Sequence, residues 1–315
     1  MKVFLFIFLF SLLWISPAFS FWIWTPETNR WVNPKYGVKD TPAEQLEYAL
    51  EFFESRDWKR ALGEMNKIIK YYPRAREAAE AQFYIGQCWE ALNRPLDAFK
   101  AYQEVMEKYP FSERSVAIVE RQYQLGNDFL LGRQNKNGIV AAITGSDYNV
   151  VEIFRTVINN SPYGPYAAPS QYKIGLFLKE GKLFQEARDE FEKVINDYPD
   201  SEWAKAARYQ VALADAQRSV EAPYDQRITQ SAKEEFNQFV KEFPDAEFSQ
   251  EATEQIQKLN EKEAENQFMI AQFYEKQKKY DAAKIYYNTV VEKYRNSSWA
   301  ALALKKIQEL SYYTR

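Results

Sequence analysis

The sequence predicts an all-α chain: an α-solenoid of about five to six stacked helical hairpins with a C-terminal capping helix. Three observations predict it. Pairs of small residues recur at a fixed spacing, an aromatic-Pro dipeptide closes most units, and the residues between them follow a helical apolar period. Ala49 and Ala61, Gly86 and Ala98, Gly175 and Ala187, and Ala271 and Ala283 are each twelve positions apart. Pro73, Pro110 and Pro199 follow twelve positions later, and Arg295 takes that place in the last unit. Two units are longer. Gly126, Val150 and Pro162 belong to the third, and Ala212, Ala232 and Pro244 to the fifth.

Each element has a local reason. Asp40-Thr41-Pro42 opens the first helix, with Thr41 as N-cap and Pro42 as first helical residue. Small residues in mid-helix let two backbones approach, and large ones fill the groove around them. Tyr84, Ile85 and Trp89 take helical offsets on one helix of the second unit, and Ala98, Tyr102 and Val105 on the other. Asn93-Arg94-Pro95 turns between them. Glu180-Gly181-Lys182 does the same in the fourth unit, where Gly181 is expected to close the helix. Where a unit ends in Tyr-Pro, that pair stops the second helix, because the residue before proline is driven out of α geometry.

Other segments depart from the repeat. Residues 1–20 read as a signal peptide: Lys2, an apolar run from Val3 to Ile15, and Ala18-Phe19-Ser20 as a small-x-small cleavage site. An uncleaved inner-membrane anchor facing the periplasm is the alternative. Residues 21–42 are Trp-rich, and Phe21–Trp24 and Trp31-Val32 flank a turn, the pattern of a small β-hairpin. That hairpin either caps the first repeat or offers Trp22, Trp24 and Trp31 to a membrane or a partner. Residues 43–162 form the N-terminal repeats, with an insertion near 132–148 whose apolar stretch Ile139–Ile143 is a candidate contact. Residues 163–315 hold the C-terminal repeats, one long helix from Phe248 to Tyr274, and a solvating cap helix over Trp299–Leu310 with Leu302, Ile307 and Leu310 apolar.

The composition excludes more than it selects. The 315 residues include no His and a single Cys, so the commonest general base and every Ser-His or Cys-His pair are missing. No Gly-rich phosphate loop or Cys cluster occurs, so no cofactor and no metal are expected. Glu234-Glu235 is expected to lie on an exposed polar face with nothing to raise its pKa, and the chain is read as no enzyme. Formal charge is −3 with both signs interleaved and no basic stripe, which argues against nucleic acid. Cys88 stands inside a repeat helix as a packing residue.

The two-helix unit, with its small residues and closing proline, resembles the tetratricopeptide repeat. The whole series resembles more specifically the BamD family of outer-membrane β-barrel assembly lipoproteins. The resemblance rests on an exported repeat chain with Tyr224-Asp225-Gln226-Arg227 before the fifth unit's second helix and a long helix before the last. It covers roughly residues 43–310. It implies a non-catalytic, periplasm-facing scaffold associated with the outer membrane, with protein partners: unfolded barrel substrates and a barrel-forming assembly protein. Mapped onto this chain, a peptide groove involves Tyr48, Phe52, Tyr84 and Gln87, and partner docking involves Arg227, Tyr274, Lys278 and Tyr280. One departure stands out. The family carries an acylated Cys after the signal, where this chain has Ala18-Phe19-Ser20-Phe21. A scaffold serving cell-wall or envelope polysaccharide machinery would use the same repeats and is the alternative function.

Overall fold

The computed structural model describes residues 23–25, 30–32, 37–134, 150–221 and 226–312. Strands β1 (Ile23–Thr25) and β2 (Arg30–Val32) pair antiparallel, with Trp24 opposite Trp31. The helices α1 (Pro42–Glu54), α2 (Trp58–Tyr71), α3 (Arg76–Ala91), α4 (Pro95–Lys108) and α5 (Ser115–Gln134) follow. After them come α6 (Val150–Asn160), α7 (Ala167–Glu180), α8 (Phe184–Asp197), α9 (Glu202–Glu221) and α10 (Gln226–Glu242). The series ends with α11 (Ser249–Lys276), α12 (Tyr280–Lys293) and α13 (Ser298–Leu310). The expected hairpin, the long helix and the last helix are all present. The signal segment, the stretch Ile139–Ile143, and Tyr224 and Asp225 lie outside the described residues, as does Trp22.

By packing, the chain divides between Ile118 and Val119. That division cuts α5 and so differs from the repeat-based boundary at 162/163. In the first unit α1–α4 pack as consecutive hairpins, and in the second α6–α13 do the same. Each core is a run of inter-helix contacts, as expected when every hairpin buries its apolar face on its neighbours.

The recurring small residues are the points of closest approach. Ala49, Ala61, Ala98, Ala187, Ala212, Ala232, Ala271 and Ala283 have no exposed surface. Four positions after the second small residue a large side chain fills the space: Met65, Tyr102, Phe154, Phe191, Phe236 and Tyr287, each at most 1 % exposed. Where the first small residue is glycine, the filler lies directly on it. A Cβ on Gly86 would stand 2.4 Å from the Tyr102 ring, and one on Gly175 2.5 Å from Phe191. Tyr102 and Tyr287 also bury a hydroxyl, which donates to Glu90 at 2.6 Å and to Glu275 at 2.7 Å.

A second recurring contact escaped the sequence reading. Gln45 donates through Nε2 to Glu64 Oε2 at 2.8 Å, and Gln82 donates to the Ala101 carbonyl at 3.2 Å. Gln171 donates to Glu190 in the same register. These buried amides stand four residues before the small residue and clasp one helix of a hairpin to the other. Gln122 occupies the same place in the third repeat and is fully buried. A buried amide persists only when its polar atoms are paired, so the recurrence of Gln at 45, 82, 122 and 171 was the available signal.

Turns are built alike. Thr41 accepts from the Glu44 amide at 3.2 Å and Pro42 opens α1, as expected. Pro95 opens α4 after Arg94. In the fourth repeat Gly181 closes α7 as expected, as its C-cap with φ −74, and the left-handed residue is Lys182 at φ 61. Arg56, Asn93 and Lys278 take the same conformation at equivalent turns. The repeat geometry therefore imposes αL one residue after the C-cap, whatever side chain is present, at a cost of about 1–2 kcal/mol per residue. Tyr72, Tyr109 and Tyr198, each before a proline, leave α geometry with ψ of 47, 59 and 52. Tyr294 does so with ψ 47 before Arg295, so proline reinforces a stop that the packing also produces.

The cap helix corrects another expectation. Ala303 and Leu310 face inward, but Leu302 and Leu304 are about half exposed, at 50 % and 48 %. Leu304 follows Ala303 as Gln82 follows Ala81, so α13 resembles the first helix of a hairpin.

Candidate functional site

The four residues expected in a groove lie on α1 and α3, which pack against each other. All four are half-buried. Tyr48 and Phe52, one turn apart, meet edge-on with centroids 5.1 Å apart. Lys39 Nζ stands 4.3 Å over the Tyr48 ring. Tyr84 belongs to a second set of rings, with Phe53 5.0 Å away, and Phe53 also meets Trp58 at 5.2 Å. Phe52 and Tyr84 thus pack on the margin of the first core as well as facing outward. The sequence reading omitted Phe53, Trp58 and the Trp89 ring, over which Arg94 stands at 4.5 Å. The adjacent pair Phe52-Phe53 was their signal, since neighbours on a helix cover two faces of it.

In the second unit, Tyr274, Lys278 and Tyr280 gather at the α11–α12 turn. Tyr274 stacks on Tyr286 with centroids 5.4 Å apart and planes 9° from parallel, and its carbonyl accepts the Lys279 amide at 3.0 Å. Tyr274 and Tyr280 both pack on the last core, which gives them a structural task besides any docking. Lys278 is exposed and holds the left-handed turn position. Arg227 is exposed on a different element, at the start of α10. Sequence reasoning missed Met269, Phe273 and Ile285, which expose 55 %, 57 % and 65 % of their surface on α11 and α12.

A polar cleft of about 240 Å³ opens between α8, α9 and α10 over an apolar floor of Ile195, Val211 and Phe239. Beside it Arg188 binds three carboxylates: Glu192 at 2.7 Å, Asp215 at 3.2 Å and Glu235 at 3.1 Å. Asp215 also takes Arg218 at 2.8 Å, and Arg208 pairs with Glu242 at 2.8 Å. The expectation for Glu235 is overturned here. Its neighbour Glu234 is exposed, but the Glu235 side chain is only a quarter exposed and its Oε2 is buried without a hydrogen-bond partner. Burial, reinforced by the Asp215 charge and opposed by Arg188, raises its pKa above the ordinary carboxylate value. The cause is the α10 face: Ala232, Phe236 and Phe239 turn inward, and Glu235 flanks them toward α8 and α9.

A raised carboxylate favours the folded state below its unfolded pKa, and that benefit disappears as pH climbs through the folded pKa. Glu235→Gln keeps an oxygen for Arg188 and removes the charge. Its urea midpoint is expected to exceed that of the unaltered protein at pH 7.5 and to converge with it by pH 4. A gap that widens toward acid would contradict the assignment.

Among the described residues no helix is long and apolar enough to cross a membrane. The hairpins with their small-residue contacts and aromatic fillers define a tetratricopeptide-repeat protein, and a tetratricopeptide-repeat family model matches residues 46–113. A second model, described as an outer membrane lipoprotein, matches residues 143–314. The chain belongs to this lipoprotein family, YfiO, as the BamD resemblance implied. Solved structures with similarity include a tetratricopeptide repeat protein from Parabacteroides merdae, at 12 % identity over 86 % of this chain and 98 % of that one, with TM-score 0.34. The C-terminal part of a repeat-containing protein from Cytophaga hutchinsonii matches at 13 % identity over 84 % and 88 %, with TM-score 0.36. No curated protein matches the chain.

Proposed function

We propose that the chain is a non-catalytic, exported scaffold of β-barrel assembly at the outer membrane, working from the periplasm. The α1–α3 surface at Tyr48, Phe52, Tyr84 and Gln87 receives extended segments of unfolded barrel substrates. Arg227 and the α11–α12 turn dock the barrel-forming assembly protein. Membership of the outer membrane lipoprotein family is the observation that carries this reading. Half-buried aromatics suit the substrate role, since rings held by packing offer apolar area at little entropic cost. Exposed cations at Arg227 and Lys278 suit docking, where rim charges steer encounter.

The test is affinity capture from envelope extract with the full chain as bait. The barrel-forming protein is expected in the eluate and is expected to fall at least ten-fold with Arg227→Glu and Lys278→Glu together. Circular dichroism of the variant checks that the helices persist. Retention of the partner at the original level would refute the docking surface, and capture of cell-wall or polysaccharide machinery instead would refute the assembly role.

A further inference from the structure

We propose that the β1–β2 hairpin is a lipid-contact site, with Trp24 and Trp31 seated at the headgroup–acyl boundary of a bilayer. Residues directly opposite in an antiparallel pair project from the same face. The register sets Trp24 against Trp31, so two indoles stand side by side on one face. Both remain uncovered, at 45 % and 66 % exposure. Indoles combine an apolar body with an N–H donor, and they concentrate at membrane interfaces for that reason.

The chain just after the hairpin is tied to the first unit. Lys67 Nζ donates to the Gly37 carbonyl at 3.3 Å, and the Tyr72 hydroxyl to that of Lys39 at 2.5 Å. Two observations select a bilayer as the occupant. The family is one of outer membrane lipoproteins, proteins held at a lipid surface. Yet the single cysteine of the 315 residues is Cys88, with no exposed surface inside α3, where an acyl chain has no room. Burial also pushes its thiol up to about 12, away from the reactive thiolate. Two indoles give reversible association, weaker than two acyl chains. This site is independent of the partner-binding surfaces.

The test uses the full chain and vesicles of phosphatidylethanolamine and phosphatidylglycerol, with and without bromine on the acyl chains. Bromine quenches indoles that enter the lipid. Trp24→Phe with Trp31→Phe keeps two apolar rings and removes only the reporting indoles, so the difference between the two proteins locates the hairpin even where other segments bind. Brominated vesicles are expected to lower the wild-type emission, and the Phe pair to lose at least half of that decrease. Equal quenching of both proteins, or no quenching of the wild type, overturns the proposal. Docking of the hairpin on protein instead would produce one of those two results.

Discussion

Phe191→Ala is expected to lower the stability of the second unit by about 3–5 kcal/mol, the range for truncating a large core ring. Phe191 is fully buried, lies over Gly175, and meets Tyr172 with centroids 5.4 Å apart. It is the wedge that sets the α7–α8 distance, and α7 and α8 lie between neighbours that cannot close over a cavity without losing their own contacts. Urea midpoints and amide exchange report the loss, with reduced protection expected first in α7 and α8.

A second substitution isolates the contact. Gly175→Ala alone is expected to destabilise by about 1–2 kcal/mol, because its Cβ would stand 2.5 Å from a ring that has no free space to enter. In the Phe191→Ala background that ring is gone, and alanine should stabilise by up to about 1 kcal/mol through helix propensity. A reversal of sign between the two backgrounds is the expected coupling. The same sign in both would show that Gly175 is not placed by Phe191.

Asp215→Ala is expected to cost about 2–3 kcal/mol, below the range for stripping a fully buried ion pair. Asp215 is 3 % exposed at its side chain and joins Arg188 of α8 and Arg218 of α9, with the Ser231 hydroxyl of α10 donating at 3.4 Å. Removing it leaves two guanidinium groups facing an apolar methyl. The cost is moderated because Arg188 keeps Glu192 and Glu235, and both arginines are 22–28 % exposed. The substitution should also ease the pressure on Glu235, one of whose charged neighbours is lost. Stability of Asp215→Ala should therefore be less improved by adding Glu235→Gln than that of the unaltered protein. Urea titrations of the single and double variants at pH 7.5 measure this, and strict additivity would deny the coupling.

Much of the fold was legible because helix pairing leaves a direct trace in residue size. Ala or Gly at the approach point and a ring four residues after its partner are steric necessities, so their spacing appears in the bare sequence. Thr41-Pro42 and the tyrosines before proline were legible for a similar reason, since caps and stops act over one or two residues. Gly181 was legible as the residue that closes α7, but the left-handed turn at Lys182 was not, because the packed hairpin requires it at a position with no glycine to mark it. Leu302 was read with the apolar face of the last helix, because a helical period does not say how far a neighbour covers it.

The candidate site was less legible. Tyr48, Phe52, Tyr84 and Gln87 were named for their place on first helices, and two of them turn out to share their surface with the core. Glu235 was read as solvated because adjacent carboxylates on a helix look alike in sequence. By itself, then, the sequence determined the repeat, the hairpin lengths, the buried small residues and the kinship with an outer membrane lipoprotein family. Only the tertiary structure decided which glutamate is buried beside Arg188, and that Trp24 stands opposite Trp31 with both uncovered. Local rules act between residues a turn apart, whereas burial and charge pairing depend on which distant helix or strand arrives alongside.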